Sequence, residues 1–157
     1  MMLTQLLMAV LLTGAPKDGG VKEIPPREFF ENAAAAVKSG RLTATTSEQL
    51  LAWQKTGSVV LIDLRNEKSF KLRHLKGAVN VPLSELTEEK LKAVIPEKNS
   101  QVVVYCDNNF NPTRMIAATT MGAPAIQQLG YSKVSTLEPL WVRPKGHPLE
   151  MVEEKSP

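Results

Sequence analysis

The sequence has 157 residues, of which 43% are hydrophobic and 22% are charged. This composition is typical of one globular domain with a hydrophobic core and excludes a predominantly disordered chain. A net charge of +3 with only 5% aromatic residues argues against a nucleic-acid partner, because neither a strong basic surface nor a base-stacking surface is available. One cysteine and two histidines exclude a disulfide framework and a cysteine-based zinc cluster, so no metal and no cofactor are expected.

The first 20 residues have a pattern of their own. Residues 6–12 form an unbroken apolar run, which is far shorter than the roughly 20 residues of a membrane span but has the length of a secretory signal core. No basic residue precedes the run, and Pro16 opposes cleavage after Ala15. We interpret 1–20 as an export signal and joint, which predicts a periplasmic or secreted protein without stable membrane insertion. A cytoplasmic protein, with this segment as an amphipathic helix on the domain, is the alternative.

A helical extension and one α/β domain are expected after this segment. Pro25 and Pro26, followed by apolar residues at helical spacing and then by Gly40, assign 21–40 to an N-terminal helix. Strand and helix patterns alternate over 41–150, which predicts a doubly wound parallel sheet flanked by helices on both faces. Residues 151–157 are assigned to a C-terminal tail, and we expect a monomer.

Cap residues and β-branched runs mark the individual elements of this domain. A helix is predicted to follow the hydroxyl residues at 45–47 and to end at Gly57, and further helices are predicted over 66–72 and 87–94. Strands are predicted over 58–64, 78–82, 101–105 and 133–137. A polar loop over 107–111 is expected to precede a helix that Gly122 and Pro124 divide into two pieces.

Cys106 is the candidate reactive residue in this pattern. It follows the 101–105 strand, and sites in parallel sheets lie beyond the carboxyl ends of the strands. The loop amides and the helix that Pro112 begins are expected to stabilise a thiolate, with Arg114 in the first turn supplying a positive charge. A buried structural cysteine is the alternative. The position, together with the polar loop, Pro112 and Arg114, favours a reactive thiol.

Anion binding around this thiol is assigned to five residues of the same region. They are Arg114, Arg65 and the three loop asparagines, Asn108, Asn109 and Asn111. For Arg65, a structural ion pair with Asp63 or Glu67 is the favoured alternative. His74 is expected to bond to the backbone, the basic residues between 68 and 76 to face solvent, and Trp141 to cover the core.

Six segments in chain order resemble the rhodanese-like domains. The most specific is His-Leu-Lys-Gly-Ala-Val-Asn-Val-Pro at 74–82, and the others lie at 46–50, 59–65, 102–106, 129–134 and 137–141. The resemblance covers about 42–150 and implies a doubly wound α/β fold. It also implies sulfur transfer from a small anionic donor such as thiosulfate to cyanide, a thiol or a protein acceptor, through a persulfide on Cys106.

The segment after the cysteine departs from the family pattern. Seven residues, 107–113, separate Cys106 from Arg114, and this loop is longer than in typical sulfurtransferases or in their phosphatase relatives. The spacing disfavours phosphate or arsenate ester chemistry. It leaves two interpretations, a sulfurtransferase and a non-catalytic binding or sensor domain.

The export interpretation predicts that the chain is shortened in its native host. Cleavage after the apolar run is expected to leave a mature N-terminus between Ala15 and Gly20. Mass spectrometry of protein purified from the native host tests this, because removal of the segment lowers the intact mass. An intact Met1 in a cytosolic fraction would contradict the prediction.

Overall fold

A computed structural model gives the structure of the chain and describes residues 27, 31, 34, 35, 38–40, 42–111, 117–143 and 145–153. The predicted export segment at 1–20 lies outside these residues, as does most of the predicted helical extension at 21–40. No helix among the described residues has the length and apolar character to cross a membrane.

Seven strands occur within the described residues, and five of them form a parallel sheet. The strands are β1 (Ala44–Thr45), β2 (Val59–Asp63), β3 (Arg73–Leu75), β4 (Ala78–Asn80), β5 (Gln101–Tyr105), β6 (Lys133–Leu137) and β7 (Met151–Glu153). The spatial order of the parallel sheet is β1-β6-β5-β2-β4. The remaining strands, β3 and β7, pair with each other in the antiparallel direction.

Five helices connect these strands. They are α1 (Ser47–Thr56), α2 (Glu67–Leu72), α3 (Glu88–Val94), α4 (Asp107–Phe110) and α5 (Ala118–Gln128), accompanied by 3-10 turns at Leu83–Glu85 and Leu140–Val142. The caps predicted for α1 are confirmed, since Thr46 Oγ1 accepts a hydrogen bond from the Gln49 N–H at 3.2 Å. Gly57 ends this helix with a φ of 66°, a conformation that glycine adopts without strain.

The core lies on both faces of the sheet because successive residues of a strand point in opposite directions. Val102 and Val104 belong to a buried cluster that includes residues of α3 and α5. Val103 and Tyr105 belong to a second cluster with residues of α1 and of the β3–β7 pair. The predicted fold class, a parallel sheet with helices on both faces, is confirmed.

The segment after β5 differs from the predicted loop. Residues Asp107–Phe110 form the single helical turn α4, in which the Asn111 N–H donates to the Asp107 carbonyl at 3.0 Å. At the start of this turn, the Cys106 N–H donates to Asn109 Oδ1 at 2.8 Å. The polar side chains of 107–111 were expected to favour an open loop. They instead cap a helix, which short polar side chains also do.

The prediction that the next helix is divided in two is wrong. α5 is continuous and contains Pro124, and its residues 122–126 are all buried. A Cβ atom added to Gly122 would lie 2.5 Å from Leu64 Cδ1, so a larger residue here would force the Leu64 side chain to move. Tertiary packing therefore outweighs the low helix propensity of these two residues.

Two predictions near the C-terminus are also revised by the structure. Trp141 was expected to cover the core, but it is 48% exposed, and its neighbour Leu140 is buried in its place. Residues 151–153, assigned from the sequence to a tail, form β7 against β3. A three-residue strand is too short to produce a periodic signal, so its pairing is decided by tertiary contacts.

A buried ion pair stands at the carboxyl end of β2. Asp63 is fully buried and the Arg65 side chain is 9% exposed. Arg65 Nε lies 3.0 Å from both carboxylate oxygens of Asp63, and Arg65 Nη2 lies 2.7 Å from Asp63 Oδ2. The structural ion pair that was favoured for Arg65 is therefore confirmed.

The same ion pair joins neighbouring segments of the chain. Arg65 Nη2 donates to the carbonyl of Arg73 in β3 at 2.6 Å. Asn80 Nδ2, at the end of β4, donates to the carbonyls of Asp63 and Arg65 at 3.0 and 2.9 Å. The ends of β2, β3 and β4 are thus held in one arrangement by hydrogen bonds to two residues.

We expect Asp63→Ala to lower the free energy of unfolding by about 3–5 kcal/mol, because it leaves a buried, uncompensated guanidinium. Replacing both charged residues, as in Asp63→Leu with Arg65→Met, is expected to recover at least half of this loss. Chemical denaturation measures each value. The control is Glu48→Ala, which removes an exposed pair with Arg143 and is expected to cost far less, because solvent screens exposed pairs. Equal costs for Asp63→Ala and Glu48→Ala would contradict the prediction.

Candidate functional site

Cys106 lies where the sequence placed it, directly after the carboxyl end of β5. Its side chain is buried, with 3% exposure, and it borders a cavity of about 250 Å3 at this edge of the sheet. The cavity is lined by Leu64, Arg65, Asn66, Pro82, Leu83, Ser84, Cys106, Asp107, Asn108, Ala118 and Met121. The single thiol of the chain therefore borders a small, partly polar space between the segments that follow β2 and β5 and the first turn of α5.

Asn109 holds the turn that carries the thiol. Its Oδ1 accepts from the Cys106 N–H at 2.8 Å, and the Asn109 backbone N–H donates to the Cys106 carbonyl at 3.1 Å. Asn109 Nδ2 donates to the carbonyls of Leu137 at 2.6 Å and Glu138 at 3.2 Å. Both amide protons of Asn109 are therefore engaged with the backbone at the end of β6.

The other two asparagines of the turn lie on different sides of it. Asn108 borders the thiol cavity, and its carbonyl accepts from Trp141 Nε1 at 3.1 Å. Asn111 is exposed and borders a second cavity that does not include Cys106. Of the three predicted asparagines, the structure places Asn108 and Asn109 beside the thiol.

The second cavity, of about 570 Å3, adjoins the thiol cavity. Arg65 and Asp107 line both cavities, and Arg65 Nη1 lies 3.8 Å from Asp107 Oδ1. The other lining residues are Ser69, Leu72, Arg73, Phe110, Asn111, His147 and Met151. The two cavities therefore differ in size and lining but share a wall of one guanidinium and one carboxylate.

Charge at this wall is largely compensated within the protein. Burial lowers the pKa of Arg65, but hydrogen bonding to Asp63 and the Asp63 charge outweigh it, so the pKa of Arg65 is raised overall. Burial and the Asp63 charge also raise the pKa of Tyr105 well above its ordinary value, and the Tyr105 hydroxyl accepts from the Leu75 N–H at 3.2 Å. Arg65 stays cationic and Tyr105 stays neutral at any physiological pH.

The structure thus brings some of the predicted site residues together and leaves others apart. Cys106, Arg65, Asn108 and Asn109 surround or support the thiol cavity, whereas Asn111 lies apart and Arg114 lies outside the described residues. Sequence reasoning missed the residues of the 3-10 turn at Leu83–Glu85, which close one side of the cavity. The Asn-x-Pro motif that ends at Pro82 marks the start of this segment, but its position opposite β5 follows only from the strand order.

This arrangement suits nucleophilic chemistry on a small molecule. A thiol at the carboxyl edge of a parallel sheet, beside polar groups and within a cavity, is positioned to attack a bound substrate. The described residues contain no group of three His, Cys, Asp or Glu side chains that would hold a metal ion.

Comparisons with known proteins agree on one family. The profile of the rhodanese-like domain matches residues 46–139. Thiosulfate sulfurtransferase PspE of Escherichia coli is 39% identical over 46 residues, which are 29% of this chain and 43% of PspE. The HTH-type transcriptional regulator Rv0324 of Mycobacterium tuberculosis is 32% identical over 74 residues, which are 47% of this chain and 31% of the regulator. The chain thus spans less than half the length of either relative.

Solved structures show the same fold. BH2092 from Bacillus halodurans has a TM-score of 0.58 and 20% identity, over 79% of this chain and 86% of BH2092. A rhodanese-like domain from an Anabaena protein has a TM-score of 0.52 and 20% identity, over 68% of this chain and 77% of that domain. The fold, the position of the thiol and the profile match together show that this chain belongs to the rhodanese-like domain family.

Proposed function

We propose that this protein is a sulfurtransferase that moves a sulfane sulfur through a persulfide on Cys106. The observation that carries the proposal is the position of the thiol, which borders a small open cavity at the carboxyl edge of the sheet in a rhodanese-like domain. The local identity with a thiosulfate sulfurtransferase supports the same chemistry. The donor we propose is a small sulfur-containing anion such as thiosulfate.

In the first half-reaction the Cys106 thiolate attacks the outer sulfur of thiosulfate. A sulfur–sulfur bond forms between Cys106 and this atom while the sulfur–sulfur bond of thiosulfate breaks. Sulfite leaves with the electron pair of the broken bond, so no external oxidant or reductant is needed. The product is a Cys106 persulfide, which is one sulfur atom heavier than the free protein.

In the second half-reaction an acceptor removes the outer sulfur. Cyanide or the thiolate of a small molecule or protein attacks the terminal sulfur of the persulfide, and the Cys106 thiolate leaves with the electron pair. Cyanide becomes thiocyanate, and a thiol acceptor becomes a persulfide. Because the donor product leaves before the acceptor reacts, the kinetics are expected to be ping-pong.

The surroundings of the thiol agree with a small donor. A cavity of about 250 Å3 accommodates a small anion, and Arg65 and Asn108 line it. Asp107 opposes anion binding, since its carboxylate borders the same cavity. The guanidinium of Arg65 offsets this carboxylate at 3.8 Å, which limits the repulsion that a thiosulfate dianion meets.

A non-catalytic binding or sensor domain is the alternative function. Two observations favour it, namely the 3% exposure of Cys106 and the neutralisation of Arg65 by the buried Asp63. In such a domain the cavity would bind an anion without sulfur uptake by the thiol. The absence of sulfur uptake on mixing with thiosulfate would therefore favour the alternative.

Mass spectrometry of the intact protein tests sulfur transfer directly. After mixing with thiosulfate, the wild-type mass is expected to rise by one sulfur atom and to return to its starting value when cyanide is added. Cys106 is the only cysteine, so a persulfide has one possible position. Cys106→Ser is expected to show no increase in mass and no thiosulfate-dependent thiocyanate formation. Equal rates for wild type and Cys106→Ser would contradict the proposal.

A further inference from the structure

We infer that Asn109 and Trp141 are positioning residues for the Cys106 thiol, through hydrogen bonds that clamp α4 to the chain segment after β6. The inference rests on the proposed function and assigns to these residues the orientation of the sulfur toward its donor. Neither side chain needs to touch the substrate for this role.

Asn109 makes its contacts in two directions at once. Toward the thiol, its Oδ1 accepts from the Cys106 N–H at 2.8 Å. Toward β6, its Nδ2 donates to the Leu137 and Glu138 carbonyls at 2.6 and 3.2 Å. A side chain in this place needs one acceptor and two donors in a short planar group, which only an asparagine provides at this length.

Trp141 attaches the same turn at a second point. Its Nε1 donates to the Asn108 carbonyl at 3.1 Å, although the residue is 48% exposed. Trp141 is not one of the buried core residues, and this hydrogen bond links its side chain to α4. Two consecutive residues of α4 are thus held from the segment between 137 and 141.

This segment is itself firmly attached to the sheet and to α1. Glu138 Oε1 accepts from the Ser47 N–H at 2.8 Å and from Ser47 Oγ at 2.7 Å. The Glu138 N–H donates to the Thr45 carbonyl at 2.9 Å, and Arg143 Nη2 lies 3.0 Å from Glu138 Oε1. The clamp therefore connects the thiol turn to a fixed part of the domain and not to a free loop.

The chemical consequence concerns the direction of the sulfur. α4 has only one turn, and such a short helix is marginal without tertiary contacts. In the cap formed with Asn109, the Asn109 N–H donates to the Cys106 carbonyl at 3.1 Å, which fixes the backbone that carries the sulfur. Loss of the clamp would release this N–H and allow the sulfur to turn away from the cavity.

The test measures the rate at which thiosulfate converts Cys106 to its persulfide in the full chain, as a function of thiosulfate concentration. We expect Asn109→Ala to lower this rate about 10- to 100-fold at neutral pH, as misplacement of a reacting group does. The thiosulfate concentration for half-maximal rate should change little, because neither side chain touches the donor. Trp141→Phe, which keeps an aromatic ring and loses the N–H donor, should lower the rate to a smaller extent.

Ser135→Ala separates positioning from simple loss of stability. Ser135 Oγ and Thr45 Oγ1 form a buried hydrogen bond of 2.6 Å within the sheet, remote in sequence from the thiol turn. This variant is expected to lose thermal stability and to keep the rate of persulfide formation. If Asn109→Ala does not fold, the rate of Trp141→Phe alone tests the positioning role, because this variant keeps an aromatic ring at an exposed position.

The outcomes distinguish the inference from the proposed function. A wild-type protein that takes up no sulfur would refute the function, and this inference with it. Sulfur uptake by the wild type with unchanged rates in Asn109→Ala or, where that variant does not fold, in Trp141→Phe would refute the positioning role alone. Equal rate losses in Asn109→Ala and Ser135→Ala would also refute it, since they would reflect stability only.

Discussion

The arrangement of the site depends on one buried ion pair, that of Asp63 and Arg65. A buried carboxylate and guanidinium are costly to remove from water, so each requires the other and further hydrogen bonds. Those further bonds come from Asn80 and reach the carbonyl of Arg73. These partners lie on β2, β3 and β4. The hydrogen bonds that satisfy the two charges therefore also hold the ends of these strands relative to one another. The ion pair thereby fixes the carboxyl edge of the sheet independently of Cys106.

The same ion pair determines the electrostatics of the two cavities. Arg65 lines both of them, but its Nε and Nη2 groups are bonded to Asp63 and to the Arg73 carbonyl. The thiol consequently lies near a positive group that is already compensated, with Asp107 opposite. A site of this kind depends less on net charge than on the hydrogen bonds that position the turn. This explains why the orientation of the turn around Cys106 matters for the proposed chemistry.

Several motif residues recognised in the sequence have structural roles that the fold makes clear. His74 Nδ1 lies 2.8 Å from the Phe70 carbonyl, and its ring stacks on that of Phe70 at 4.0 Å between centroids. Gly77 adopts a φ of 79°, and a Cβ there would lie 3.3 Å from Gln54 Nε2. The backbone contact expected for His74 is thus confirmed. The motif supports the edge of the sheet and stands outside the thiol cavity, apart from its closing Pro82.

The sequence by itself determined the parallel α/β fold, most element boundaries and the position of the thiol. These depend on local patterns, namely β-branched runs, caps and the rule that sites follow the carboxyl ends of strands. Tertiary structure alone decided that α4 is a helical turn, that α5 is continuous through Pro124 and that Asn109 bonds to the end of β6. Each of these depends on a partner far away in the chain, such as Leu64 for Gly122 or Leu137 for Asn109. Local sequence carries no information on such contacts, because they exist only after the sheet has assembled.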